Sequence, residues 1–523
     1  MSVSISVQLL SGQGATVLLP TDASVTALQD AVQKSLGTRI SNLVTQSGKI
    51  LQASESLLQA GIGDWDCLTA VVRESALASN FFAFALIRPD GSVITWGEKD
   101  YGGDSSAVKD ELQNVDAIQA TATALAALRS DGTVVTWGAE EYGGDSSGVR
   151  EQLKHVRHIQ STHSAFAALR ADGTVISWGE PGRGGDCSQV QGQLQDVTHI
   201  QAAFGTFAAL RSDGRVIAWG EHAPPAEIRA ELTDIIGIQR CGEHGFAAIK
   251  PGGRFVHWLF DSIFPSSVVQ TSLNDIQHLC AVGSEWVAVD GAGTAEWKLF
   301  GHAQRVSNVE AVQHTYDCHF AALLKDGTVV HWGPYGYIAA GDLHEQLKNV
   351  VSIQTSDDSF AALRSDGSVR TWRYNSRRVL RDGAASDVPK RVANVVPDQL
   401  RSVKEIQANT FAFAAIREDG SVVTWGHKSY GGDSSAVQSQ LRNVRRIQGT
   451  DTAFAALRSD GSVVTWGSRR TGGASRHISR DLGRTGADDA AEDRARVEAE
   501  AKVQAKAKAK VKAKAKAKVK AKA

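Results

Sequence analysis

The chain has 523 residues, 42% of them hydrophobic, which is room for several domains and the composition of a folded globular protein. No run of eighteen apolar residues is present to span a bilayer, and the opening MSVSISVQLL lacks a secretion signal's basic start and long apolar stretch, so insertion and export are not expected. The net charge of −1 hides an asymmetry: residues 501–523 hold ten lysines and no acid, which leaves −11 over residues 1–500.

Residues 1–73 come first and stand apart. The segments SISVQLL and ATVLLP read as strands around the turn SGQG, and TDASVTALQDAVQKSLG reads as a helix with Val25, Leu28, Val32 and Leu36 on one face and a cap near Thr21 or Asp22. A short strand at Leu43 and Val44, a turn at Ser47–Lys49 and a last strand from Cys67 to Val72 complete a β-grasp pattern. Cys67 in that strand is expected to be a buried, inert thiol.

From residue 75 to 473 one unit recurs. Its cleanest copies are AFAALRADGTVISWG at Ala165–Gly179 and AFAALRSDGSVVTWG at Ala453–Gly467. Tryptophan marks the frame ten times, at Trp96, Trp137, Trp178, Trp219, Trp258, Trp297, Trp332, Trp372, Trp425 and Trp466. The dominant spacing of 41 residues predicts a solenoid or propeller. Within a unit, two runs of β-formers joined by Asp-Gly form a hairpin, and the upstream V-x-x-I-Q is a third strand with an irregularity between Val156 and Ile159. Such a unit cannot bury both faces alone, so copies must stack, and the small A-A-L residues suit the narrow part of a wedge-shaped blade. The units around Gly252–Trp258 and Trp286–Trp297 are eroded, as at a seam or by drift. Between units, G-G-D-S-S predicts a sharp turn and a helical turn capped by Asp104, Asp145, Asp186 or Asp433, with Val108 and Leu112 on its packed face. One acid per unit argues for capping over calcium binding.

Trp372 and Trp425 are 53 residues apart, and the added segment carries Arg373, Arg377, Arg378, Arg381, Lys390 and Arg391. It is a tolerated insertion or a recognition loop for phosphate or carboxylate groups. Residues 481–523 form a low-complexity tail whose lysines are Lys502, Lys506, Lys508, Lys510, Lys512, Lys514, Lys516, Lys518, Lys520 and Lys522. Like charges four apart disfavour a helix there, so disorder is expected until an anion neutralises the segment. With no aromatics interleaved, nucleic-acid binding through it would be sequence-blind and salt-sensitive, and acidic protein or anionic lipid would serve equally.

The frame A-L-x-x-D-G-x-V-x-x-W-G, as in Ala168–Gly179, resembles the regulator-of-chromosome-condensation repeat family over about 400 residues. The shorter unit, and G-G-D-S-S in place of G-Q-L-G, look more like its divergent short-repeat members. That resemblance implies a mainly β, propeller-like array of about ten three-stranded repeats. It is a larger ring, a seven-bladed ring with three extra units, or an open array. Residues 1–73 resemble ubiquitin-like domains through LLSGQ, LVTQSGK and LTAVVR. This implies that Leu10, Val44 and Val71 occupy the apolar patch by which such domains are read, unless they are core. With no Gly-Gly after Arg73, the domain would be a fixed module.

Catalytic signatures are absent: there is no phosphate cradle, zinc-protease helix or nucleophile elbow, and HEQLK at His344 lacks a second histidine. The five cysteines form no C-x-x-C pair and histidines such as His158 are dispersed, so no catalytic residue, metal or cofactor is assigned and a reducing home, cytoplasmic or nuclear, is expected. Similar propellers occur in HECT-type ubiquitin ligases, but no ligase domain is recognisable here. The expected function is a non-enzymatic protein-interaction scaffold that binds a protein on one propeller face and acts as an adaptor in the ubiquitin pathway. The alternatives are guanine-nucleotide exchange on a small GTPase through the Arg373–Arg391 segment, and chromatin or nucleic-acid binding through the tail.

Overall fold

The computed structural model describes residues 2–9, 14–36, 40–52, 55–72, 74–241, 245–259, 267–282, 285–299, 302–314, 319–333, 336–337, 347–357, 359–373 and 400–474. Strands β1 (Ser2–Leu9), β2 (Gly14–Pro20), β3 (Ile40–Thr45) and β4 (Cys67–Val72) form one sheet in the order β2-β1-β4-β3, with β1 and β4 parallel. Helix α1 (Val25–Leu36) inserts Val25, Leu28 and Val32 among Ile5, Val7, Leu43 and Leu68, which is the grasp arrangement anticipated from the pattern. Its cap is Ser24, whose hydroxyl accepts the Ala27 N–H at 3.1 Å, and not Thr21 or Asp22, because Ala23 is held in a turn by Pro20. A second short helix, α2 (Leu57–Ala60), was not anticipated. It is closed by a reciprocal Ser56–Gln59 capping box that is legible as S-x-x-Q. Cys67 is half-exposed, not buried, because it lies on the face of the sheet opposite the α1 core, as does its β1 partner Ser6.

Ten further sheets follow, one for each tryptophan marker, and we number them as blades 1 to 10 with strands A, B and C in chain order. Blade 3 is representative: strand A is Val156–Ser161, strand B Ala165–Arg170 and strand C Val175–Gly179. The irregularity read in V-x-x-I-Q is a β-bulge between Val156 and His158, and it turns both Val156 and Ile159 toward the preceding blade. Strand B alternates its small residues between two interfaces: Ala165 and Ala167 meet blade 4, while Phe166 and Ala168 meet blade 2. Phe166 stacks on Trp178 with ring centroids 5.2 Å apart, and the indole N–H donates to the Gly143 carbonyl of blade 2 at 3.1 Å. In the Asp-Gly turn only glycine takes a positive φ (Gly173, +81°), so the hairpin is a turn closed by Gly173 N–H to Arg170 carbonyl with a left-handed glycine after it. Asp172 instead accepts the Thr174 N–H and hydroxyl, at 3.0 and 2.6 Å, and these bonds hold its carboxyl below the ordinary range.

The G-G-D-S-S segments run along the outside of the blades as turns and 3-10 helices rather than α-helices. Asp145 accepts from Ser147 N–H at 2.8 Å, two residues on, and Asp104, Asp186 and Asp433 make the same bond. Leu112 is buried and Val108 packs beside it, as their spacing predicts. Gly143 requires glycine, since at φ +97° a Cβ would sit 2.6 Å from the Phe166 ring.

Two features differ from the sequence reading. Blades 5, 6 and 7 each carry a fourth, outer strand, Ser267–Gln270, His302–Val306 and Gly336–Tyr337. In blade 6 the register pairs Trp286 with Lys298, so Trp286 occupies the usual phenylalanine place and Lys298, not Trp297, the usual tryptophan place. These eroded units are not a seam, because shared cores join blade 5 to 6 and 6 to 7. The array closes instead between blades 10 and 1. Phe84, Leu86 and Trp96 share a core with Ala453, Ala455 and Val463, and the Ser79 hydroxyl donates to the Gly449 carbonyl at 2.7 Å. Arg470 pairs with Glu98 at 2.9 Å, and Gly472 packs on the Phe84 ring. The repeats therefore form one closed ten-bladed ring. Among the described residues no helix is long and apolar enough to cross a membrane.

Candidate functional site at the axial mouth

Strand A of each blade is its inner strand, and the A–B turns of blades 1 to 4, 9 and 10 converge on a cavity of about 370 Å³ at one end of the ring axis. In blades 1, 2, 3, 9 and 10 the turn is stiffened by its first residue, whereas blade 4 has Ala203 there. Asn80 accepts from Phe82 and Ala83 N–H at 2.8 and 2.7 Å, and Thr162 and Thr450 accept from Ala165 and Ala453 in the same way. The next residue then points its backbone around the rim. Asp451 N–H bonds Phe81 carbonyl, Phe81 N–H bonds Ala122, Ala122 N–H bonds His163, and His163 N–H bonds Phe204, at 3.3, 3.3, 2.9 and 2.9 Å. Two blades before Asp451, Asp357 N–H bonds the Thr410 carbonyl at 3.2 Å.

These backbone bonds fix the rim, and the side chains around the mouth are aromatic, acidic and, from Arg240 of blade 5, basic. Phe81, His163 and Phe204 form an aromatic arc, with centroid distances of 5.6 and 5.0 Å, and Phe81 remains 42% exposed. The Arg183 guanidinium lies 4.8 Å over the Phe204 ring while also pairing with Glu180 and Glu221. Adjoining Phe81 is an acidic and hydroxylic arc of Asp451, Thr410 and Asp357, in which the Thr410 hydroxyl donates to the Asp451 carboxylate at 2.5 Å. Such a rim presents aromatic faces, a preset carboxylate and the Arg240 cation to a ligand that combines an apolar group with charged ones. On strand A of blade 3 His158 lies exposed beside Gln160, its pKa lowered mainly by desolvation and then by Arg157.

The sequence reading did not single out these rim residues, since they occupy the variable position inside an otherwise repeated frame. The available signal was their period: Phe81, Ala122, His163 and Phe204 are spaced at 41 residues, two places before the start of strand B. Of the residues that were singled out, Val44 and Val71 lie on the outward face of the grasp sheet. Asn42 pairs with Val71 and Val44 with Thr69, so the two valines are diagonal neighbours on that face, and Leu43 and Ala70 turn inward. Val71 is 37% exposed, and Ile50, bridged to Val44, is 51% exposed. Leu10 lies outside the described residues. Arg373 ends strand C of blade 8, opposite Ser359, whereas Arg377, Arg378, Arg381, Lys390 and Arg391 lie outside the described residues, as do the tail lysines from Lys502 to Lys522. Among the described residues no group of three His, Cys, Asp or Glu side chains is placed to hold a metal ion.

No protein-family model and no curated protein matches the chain. Among solved structures it is similar to the computationally designed Ika8 protein, at 16% identity over 60% of this chain and 96% of that one, with a TM-score of 0.28. Human WBSCR16 is 17% identical over 43% of this chain and 75% of its own, with a TM-score of 0.28. The UBL domain of Plasmodium falciparum Dsk2 is 25% identical over 14% of this chain and 97% of its own, with a TM-score of 0.13. At these TM-scores none of the likenesses bears on function.

Proposed function

We propose that the chain is a non-enzymatic interaction scaffold whose axial mouth holds a protein partner through a loop that carries an apolar anchor and charged side chains. The observation that carries this reading is the rim itself, where a run of backbone bonds sets Phe81, His163 and Phe204 in line with Asp451, and a further bond holds Asp357 to Thr410. Rigid placement of exposed aromatic rings lowers the ordering cost of binding, and aromatic anchors are where interface energy concentrates. The ubiquitin-like reading of residues 1–73 makes Val44, Ile50 and Val71 a second contact surface, directed to ubiquitin-pathway proteins. Only residues 73–75 separate that domain from strand A of blade 1, and Glu74 pairs with Arg445 of blade 10 at 3.1 Å. Capture from cell extract by the full chain, its Phe81→Ala/Phe204→Ala variant and its Val44→Asp/Val71→Asp variant tests both surfaces. Proteins lost only with the rim variant support the axial site, and identical capture by all three chains refutes it.

A further inference from the structure

In blade 2, strand C (Val134–Gly138) is the outermost strand of its sheet. Arg129 N–H bonds the Thr133 carbonyl and Ala139 N–H bonds Thr123, so residues 133, 135, 137 and 139 face strand B. By alternation the backbone groups of Val134, Thr136 and Gly138 face outward. In blades 5 and 6 the same edge is covered by the chain's own fourth strand, antiparallel to strand C. In blades 3 and 9 a glutamine from the outer segment takes the first outward carbonyl, Gln191 to Val175 at 3.1 Å and Gln438 to Val422 at 2.8 Å. Blade 2 has Arg150 at that position, and Arg150 turns away to Glu111 of blade 1 at 2.6 Å. Its edge is thus the floor of a groove of about 730 Å³, walled by segments 99–111 and 139–150.

The two walls differ in chemistry. Segment 139–150 carries Glu140, Glu141 and Asp145 on the side toward which Thr136 points. On segment 99–111 the acids Asp104 and Glu111 are paired with Lys99 and Arg150, which leaves Asp100 beside the small residues Ala107 and Val108. A complementary strand would alternate cationic with small apolar residues. Residues 505–523 do so without a break, with Lys at every even number from 506 to 522 and Ala or Val between. As a strand, though not as a helix, that pattern places all the lysines on one face. The chain also leaves the ring nearby, for Gly472 packs on Phe84 of blade 1, and the roughly 30 residues between 475 and 505 reach up to about 100 Å when extended.

We propose that the lysine-alanine segment docks on this edge as the missing fourth strand of blade 2, its lysines against Glu140 and Glu141 and its small residues against Ala107 and Val108. This is independent of the axial reading and depends on other residues. Strand addition supplies main-chain bonds, and the tether raises the local concentration of the segment into the millimolar range, about what weak exposed ion pairs require. The experiment is hydrogen exchange on the full chain and on its full-length Glu140→Lys/Glu141→Lys variant, at low and high salt. The amides of Val134, Thr136 and Gly138 should exchange about tenfold more slowly in the parent chain at low salt only, as expected for a site occupied about nine-tenths of the time. Carbodiimide coupling in a mixture of isotopically light and heavy chains should join lysines 506–522 to Glu140 or Glu141 within one chain. Equal exchange in parent and variant, couplings spread over the acids of other blades, or couplings only between light and heavy chains each overturn the proposal.

Discussion

Ring closure makes Phe84 a core residue, and the substitution Phe84→Ala tests that placement quantitatively. Phe84 is wholly buried, stacks on Trp96 at 5.3 Å, and packs on Ala453, Ala455 and Gly472 from the far end of the repeat array. Phe166 has the same surroundings at an internal interface, 5.2 Å from Trp178 and against Gly143. Truncating either ring loses its transfer free energy and leaves a cavity, for a cost of about 3–5 kcal/mol. If blades 10 and 1 did not meet, half of the Phe84 ring would face water, and its removal would forfeit little beyond the stack, about 0.5–1.5 kcal/mol. Urea unfolding of the two variants side by side, with slopes compared to confirm that the transition is unchanged in kind, reads the difference. Matched losses are expected. A loss below about 1.5 kcal/mol for Phe84→Ala beside several for Phe166→Ala refutes the closed ring.

Burial lowers the pKa of His257 from the ordinary 6.5 to about 4, so between those values the unfolded chain holds a proton that the folded chain does not. Stability is therefore lost as pH falls from about 6.5 through about 4, by up to about 3 kcal/mol, and His257→Thr, the residue in this place in blades 1, 2, 8, 9 and 10, should remove that slope in melts run across the window. Gly143→Ala should cost about 2–4 kcal/mol through left-handed strain and collision with Phe166, whereas Gly148→Ala, with open space around its Cβ position, should stay within about 0.5 kcal/mol. Nucleotide release from small GTPases should be unaffected by the chain. Acceleration that disappears on deleting residues 374–399 would instead establish the exchange alternative. Binding to duplex DNA, if it occurs, should fall by orders of magnitude between 50 and about 200 mM salt and vanish in a chain ending at Ala474.

Local order in this protein is written locally. The bulge in V-x-x-I-Q, the Asp-Gly hairpin, the Gly-Gly turn and the alternating small residues of A-F-A-A-L each arise from bonds and sterics within some 40 residues, so a single copy discloses them and ten copies repeat them. The Asp172 and Asp145 carboxylates likewise serve neighbours two residues away, which is why turn chemistry and not metal binding was the legible choice. The sequence period also established that blades must stack, because an isolated hairpin with one added strand leaves both faces unburied.

Closure, the mouth and the open edge belong to the tertiary structure alone. Whether ten wedges complete a circle depends on the small angle between neighbours accumulated over the whole array, and no residue encodes it; only the meeting of Phe84 with Ala453 and Gly472 reveals the sum. The axial rim draws on residues 41 apart that the ring brings to bonding distance, and selects the position where the repeat is least constrained. In blade 2, Arg150 stands where blades 3 and 9 have a glutamine bonded to strand C, and it turns to Glu111 instead. Its meaning depends on where Glu111 of the neighbouring blade lies, a relation that contact between blades decides and sequence distance conceals.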